Sequence, residues 1–281
     1  MIIGSHVSMS SPDYVLGSIK EMLSYHANAC MIYTGPPQNG RRVPIEKLKI
    51  DEAKALLKEN HLSMEHVVVH APYLINLANT LNPQTYENSI ELLKNEIIRT
   101  DAIGSPYLIL HPGSHVNAGS DVGIQSIIQG LNAALDDSQK CILCLETMAG
   151  KGTEVGRSFE ELARIIEKAR FSDYIGVCLD TCHIYDGGYD IVGDLDGVVA
   201  EFDRVIGLDR LCAIHLNDSK NPFESHKDRH EVIGGGSLGL ETMKKVINHP
   251  KLRGLPFYLE TPNELEGYKK EIELLKSLYE E

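Results

Sequence analysis

The sequence predicts a (β/α)8 barrel, and three observations carry the prediction. Short β-rich apolar runs recur along the chain, amphipathic stretches of helical period separate them, and several runs are apolar without interruption. The runs are MIIGSHVS from residue 1, ACMIYTG from 29, HVVVHAPY from 66 and YLILHPG from 107. CILCLET from 141, IGVCLDT from 175, LCAIHLND from 211 and PFYLETP from 256 complete the set. Val67, Ile109 and Val177 lie in near-continuous apolar segments, as parallel strands covered on both faces require. Between the runs, NSIELLKNEIIRTDAI, SFEELARIIEKAR and LDGVVAEFDRVI place apolar residues three and four apart, the spacing of one helix face. A doubly wound open sheet is the alternative, but no G-x-G-x-x-G follows the first run. The 281 residues suit one barrel of about 250 residues, so 1–281 is read as a single barrel domain.

Hydrophobic residues make up 42% and charged residues 24% of the chain, a globular profile able to bury a large core. MIIGSHVSM shows no basic segment followed by a long apolar stretch, and no apolar run approaches the ~20 residues that span a bilayer. A cytoplasmic protein without membrane contact is expected, with monomer as the default state. The cysteines at 30, 141, 144, 178, 182 and 212 are then reduced. Cys141 and Cys144 resemble a metal-binding pair, yet three apart on a strand they point to opposite faces. The net charge of −13 argues at first against a nucleic-acid partner, because phosphate binding draws on cations. That objection weakens where carboxylates are metal ligands, since bound ions reverse the local sign.

From the third run onward, each apolar segment ends in a metal-competent side chain: His70, His111, Glu146, Asp180, His215 and Glu260. In a barrel the C-terminal strand ends form one rim, so these residues converge. His183 lies one turn beyond Asp180, and SHKDRHEVIGGG adds Asp228 and His230 from the long loop after the seventh run. Taken singly, a histidine at a strand end is usually a hydrogen-bonded structural residue, and an acid there usually a helix cap. Asp180 and Asp218 are both placed to cap. Six successive strand ends are another matter, because so many ionisable groups gathered without cations would cost on the order of several kcal/mol each. Five imidazoles with four carboxylates favour zinc over magnesium or calcium, which prefer oxygen shells. Nine ligands exceed one tetrahedral ion, so two or three are implied. Such a cluster suits hydrolysis of phosphate esters.

The chain resembles the endonuclease IV family of apurinic/apyrimidinic-site endonucleases, which are TIM barrels. The most specific segments are HAPYLINLAN (70–79), LILHPGSH (108–115), LETMAGKGTEVG (145–156), GVCLDTCHIYDGGYD (176–190) and HLNDSKNPFESHKDRHEVIGGGSLG (215–239). The resemblance covers nearly the whole chain. It implies three Zn2+ ions: His70 and His111 hold the first with Glu146, and Glu146, the catalytic carboxylate, bridges to the second. Asp180, His215 and Glu260 complete the second, while His183, Asp228 and His230 hold the third; the neighbouring cysteines are bystanders. The implied substrate is double-stranded DNA containing abasic sites, cut on the 5′ side to leave a 3′-hydroxyl and a 5′-deoxyribose phosphate, with removal of blocking groups from 3′ ends.

Tyr73 and Leu74 match the residues with which this family pushes into DNA where the abasic nucleotide leaves the stack. Two departures stand out. MSSPDY follows the HVS element where glycines are common, and the inserting arginine of some members has no counterpart in TGPPQNGRR, where Gln38 falls near its place. Arg41, Arg42, Arg229, Lys151 and Lys220 are candidate phosphate contacts. His6 and His115 are either groups that orient ligands or plain structural histidines. Two rival readings remain from the residues alone. One is a sugar isomerase or epimerase using one or two manganese or magnesium ions; the other is a metal-dependent DNA-binding module without turnover.

Overall fold

The computed structural model describes residues 1–280. Seven strands run in chain order: β1 Ile2–His6, β2 Ala29–Ile32, β3 Val67–His70, β4 Tyr107–Leu110, β5 Ile142–Glu146, β6 Ile175–Asp180 and β7 Leu211–His215. A short antiparallel ribbon follows, β8 Asp218–Ser219 with β9 His230–Glu231, and then β10 Pro256–Leu259. All but the ribbon close into one parallel barrel, β10 pairing with both β7 and β1. Each predicted run contains one of the eight barrel strands, and the open-sheet alternative is excluded by the closure.

The helices are α1 Tyr14–Ser24, α2 Ile50–Glu59, α3 Pro83–Ile103, α4 Ser120–Ala134 and α5 Phe159–Lys168. They continue with α6 Thr181–Asp186, α7 Leu195–Val205, α8 Gly239–Asn248 and α9 Leu265–Leu278. Their limits follow local chemistry. Asn82 caps α3 by accepting from the Thr85 N–H, Pro83 occupies its first turn, and Gly104 ends it at φ 85°, a conformation that costs glycine little. Ser158 caps α5 through the Glu161 N–H, and Asp194 caps α7 through the Gly197 N–H.

Two buried regions result. The larger lies between the barrel wall and the helices. The smaller fills the barrel with Ala29, Met31, Val68, Ile109, Cys144, Cys178, Ala213 and Tyr258. Cys144 belongs to this inner plug and Cys141 to the outer core, the opposite faces that their spacing predicts. All six cysteines are free thiols. Among the described residues no helix is long and apolar enough to cross a membrane.

Candidate metal centre

The inner plug places the site. Side chains of a strand alternate between faces, so a residue two beyond an inward-facing one points inward again, one layer higher. Two beyond Val68, Ile109, Cys144, Cys178, Ala213 and Tyr258 stand His70, His111, Glu146, Asp180, His215 and Glu260. The same step from Met31 on β2 leads to Tyr33. The upper layer of the barrel is therefore a ring of ligand-type side chains closed on one side by a tyrosine.

Their donor atoms meet in three sets, each with its atoms within 4.8 Å of one another: His70–His111–Glu146, Glu146–Asp180–His215–Glu260 and His183–Asp228–His230. Glu146 joins the first two. Its Oε2 stands 3.1 Å from His70 Nε2 and 3.2 Å from His111 Nε2, while its Oε1 stands 3.0 Å from His215 Nδ1. Glu260 Oε2 lies 3.1 Å from the same His215 nitrogen, and Asp228 Oδ1 lies 3.0 Å from His183 Nε2. His230 Nε2 is buried without a hydrogen-bond partner, 3.6 Å from Asp180 Oδ2 and 3.7 Å from Asp228 Oδ1. Ligand atoms about 2.1 Å from a tetrahedral ion are separated by roughly 3.4 Å, so these spacings fit donors that share a cation.

Tautomers agree with that use. His70 Nδ1 donates to the Ala71 carbonyl at 2.7 Å, His183 Nδ1 to Thr147 at 2.8 Å and His230 Nδ1 to Glu260 at 3.1 Å. Each bond places the proton on Nδ1 and turns the Nε2 lone pair into the centre. His215 is reversed, with Nδ1 inward and its ring against the Cys178 thiol. Burial opposes charge throughout, yet the neighbouring imidazoles, His215 and His111 foremost, hold the Glu146 carboxyl well below the usual range. Burial likewise works against the His183 and His215 imidazolium forms, but Asp180, Asp228 and Glu146 raise the first, and the Cys178 thiol with Glu146 and Glu260 raises the second, well above an ordinary histidine. A divalent cation bound among these groups would have to displace the protons that such raised imidazoles carry.

Several supporting residues carry no sequence signal of their own. Asn217 is fully buried; its Nδ2 donates to Asp180 Oδ2 at 2.7 Å and its Oδ1 accepts from the Glu260 N–H at 2.7 Å. Asp180 also accepts the His183 N–H at 2.8 Å, so it caps α6 as well as joining the centre. Asp218 is the anchor of the following loop, accepting N–H bonds from Ser219, Gly234, Gly236, Leu238 and Gly239. A side chain at Gly236 would come within 2.3 Å of the Ser219 carbonyl, so the loop closes there only on glycine. Asp228 is held at φ 52° by its N–H bond to Asp186 Oδ2, a strained conformation sustained by its surroundings. Cys182 also has its donor atom within 4.8 Å of those of Asp180 and His230. Burial raises that thiol, which disfavours the thiolate a metal requires.

The rim holds the other candidates. Tyr73 is 58% and Leu74 45% exposed, and the Tyr73 ring stands 5.8 Å from that of His111. Arg41, Arg229 and Lys151 are exposed, and Lys220 lies 3.8 Å from Glu231. Arg42 requires a correction. Its side chain is 4% exposed, and Nε donates at 2.6 Å to Glu96, a fully buried acid of α3. The pair fastens the 35–43 loop and leaves Arg42 no freedom to meet a phosphate. His115 is structural, its Nδ1 accepting the Gly119 N–H at 3.1 Å. His6 packs 5.0 Å from the Tyr33 ring; among the described residues it makes no hydrogen bond to a ligand side chain.

Residues 19–278 match the family described as xylose isomerase-like TIM barrel. The chain is 51% identical over 281 residues to a probable endonuclease 4 of Oceanobacillus iheyensis, covering 98% of this chain and 94% of that one. The probable endonuclease 4 of Bacillus subtilis is 50% identical with the same coverage. Among solved structures, endonuclease IV from Thermus thermophilus superposes with a TM-score of 0.86 at 30% identity, over 99% of this chain and 98% of that one. A D-tagatose 3-epimerase-like protein superposes at 0.72 with 18% identity, over 99% and 97%, a likeness of fold alone.

Proposed function

This chain belongs to the endonuclease IV family within the xylose isomerase-like TIM barrels, and we propose that it cuts double-stranded DNA 5′ to abasic sites with three zinc ions. The observation that carries the proposal is the sharing of Glu146 between two donor sets, with a third set beside them on one rim. Residues 1–281 act as one catalytic domain, working as a monomer in the cytoplasm, and blocked 3′ ends are further substrates. The epimerase alternative keeps only a distant likeness of fold.

His70, His111 and Glu146 would hold the first ion; Glu146, Asp180, His215 and Glu260 the second; His183, Asp228 and His230 the third. Bound there, zinc would supply Lewis acidity, activating water near neutral pH and stabilising charge on a phosphate and its leaving oxygen. The chain's own part is orientation. Glu146 fixes the spacing of the two sets it joins, and the Ala71, Thr147 and Glu260 carbonyls fix the imidazole tautomers. Arg41 and Arg229 offer cations to backbone phosphates, offsetting the repulsion of an acidic chain. Leu74 and Tyr73 present apolar surface where a nucleotide leaves the stack.

The test is incision of a duplex carrying one tetrahydrofuran abasic analogue, with metal content measured on the same sample. Cleavage 5′ to the analogue by zinc-loaded protein is expected. An uncut duplex with zinc fully loaded refutes the proposal and leaves the reading of a binding module without turnover.

A further inference from the structure

We propose that Tyr33 is a positioning residue for DNA recognition, fixing Tyr73 above the His70–His111 side of the centre through a bond between the two phenols. The inference rests on the endonuclease reading and assigns a task to Tyr33, a member of the inner ring just past the end of β2 that is no metal ligand.

Tyr33 stands two residues beyond Met31, at the level the ligands occupy on the other strands, and is only 8% exposed. Its hydroxyl donates to the Tyr73 hydroxyl at 2.6 Å. Its ring lies 5.2 Å from that of His70 and meets Tyr73 edge-on at 5.6 Å. The base beneath it is rigid. The next residue, Thr34, is buried, donates to Glu96 at 2.6 Å and accepts from Arg99 Nε at 3.0 Å.

Tyr73 needs such a support. A largely exposed tyrosine free to rotate must be ordered when DNA binds, and ordering side chains weakens association. The phenol bond carries out that ordering before the substrate arrives. Because Tyr33 is the donor, Tyr73 keeps its own proton for another acceptor. At this mouth the fitting acceptor is a phosphate or sugar oxygen of the damaged strand. Leu74 has no polar atom to tether and is left as the wedge.

Tyr33→Phe removes the donor and keeps the ring against His70. Zinc content and kcat on the tetrahydrofuran duplex are expected to match wild type and the unfolding temperature to fall by no more than about 2–4 °C, while KM rises about fivefold, the scale of ordering one freed side chain on binding. The double variant Tyr33→Phe/Tyr73→Phe is expected to be no worse than Tyr73→Phe alone, since both delete the same bond. In DNA-free protein labelled with 3-fluorotyrosine, the Tyr73 fluorine resonance is expected to shift in Tyr33→Phe. An unchanged KM, multiplicative losses in the double variant, or an unmoved Tyr73 resonance overturns the proposal. A fall in kcat accompanied by zinc loss does so too, since it marks a merely structural role. Should wild-type protein fail to cut the duplex, the endonuclease reading falls, and the fluorine resonance still decides the tie between the tyrosines.

Discussion

Replacing Glu146 by glutamine tests the centre at its shared member. The substitution keeps shape but exchanges one carboxylate oxygen for an amide nitrogen that cannot ligate a cation, and removes one negative charge. In the structure Oε2 faces His70 and His111, while Oε1 faces His215 and His183, so either orientation of the amide deprives one donor set of its oxygen. Losing one preorganised electrostatic contact at a reacting centre costs about 10²–10³ in kcat, and a shared ligand should cost at least that. In the zinc-free protein the effect depends on pH. The Glu146 carboxyl lies below its ordinary 4.5 and the His215 imidazole above its ordinary 6.5. The depressed acid contributes stability that is present above 4.5 and lost as pH falls through its folded value. The raised imidazole contributes stability that is present below 6.5 and lost as pH rises through its folded value. Both contributions are therefore in force between those limits, and denaturant unfolding should separate wild type from Glu146→Gln most widely there. Breaking one buried pair is worth about 3–5 kcal/mol. The assay pairs incision kinetics with urea unfolding of chelated protein between pH 5 and 8. Near-normal incision by a variant with full zinc content would refute the bridging role.

Two further substitutions address the supports, and a third the exposed rim. Asn217→Ala removes the bonds to Asp180 Oδ2 and the Glu260 N–H, and zinc affinity measured by chelator competition should fall about 10–100-fold, as for other residues that orient ligands. Arg42→Ala removes the cation from the buried Glu96 carboxylate and leaves it the Thr34 hydroxyl as side-chain donor, and should lower unfolding stability by about 3–5 kcal/mol, whereas Arg41→Ala should leave unfolding unchanged and weaken DNA binding most at low salt. Equal unfolding midpoints for Arg42→Ala and wild type would contradict the structural role given to Arg42.

The ring was legible because alternation along a strand turns a linear pattern into a layer. Each ligand follows a small or apolar plug residue by two, and that register survives folding whatever the loops do. Asp228 and His230 were legible from their spacing within one loop. The supports were not, since their partners are remote in sequence. Glu96 reads as one more acid on a helix, yet it shares a buried stripe with Ser89, Leu93, Thr100 and Ile103, and a charge on such a stripe signals a buried partner. No comparable pattern points to Asn217, whose role depends on β6 and β10 ending on either side of it. Arg42 looked like exposed surface for the same reason: only the folded chain brings α3 beneath its loop.

The central claim is that nine side chains from separate strand ends and loops hold three ions on one rim. Anomalous scattering across the zinc absorption edge, from crystals of zinc-replete protein, tests it directly. The account predicts three peaks, two of them flanking the Glu146 carboxylate and the third among His183, Asp228 and His230. Peaks elsewhere, or a rim without anomalous signal, would contradict it.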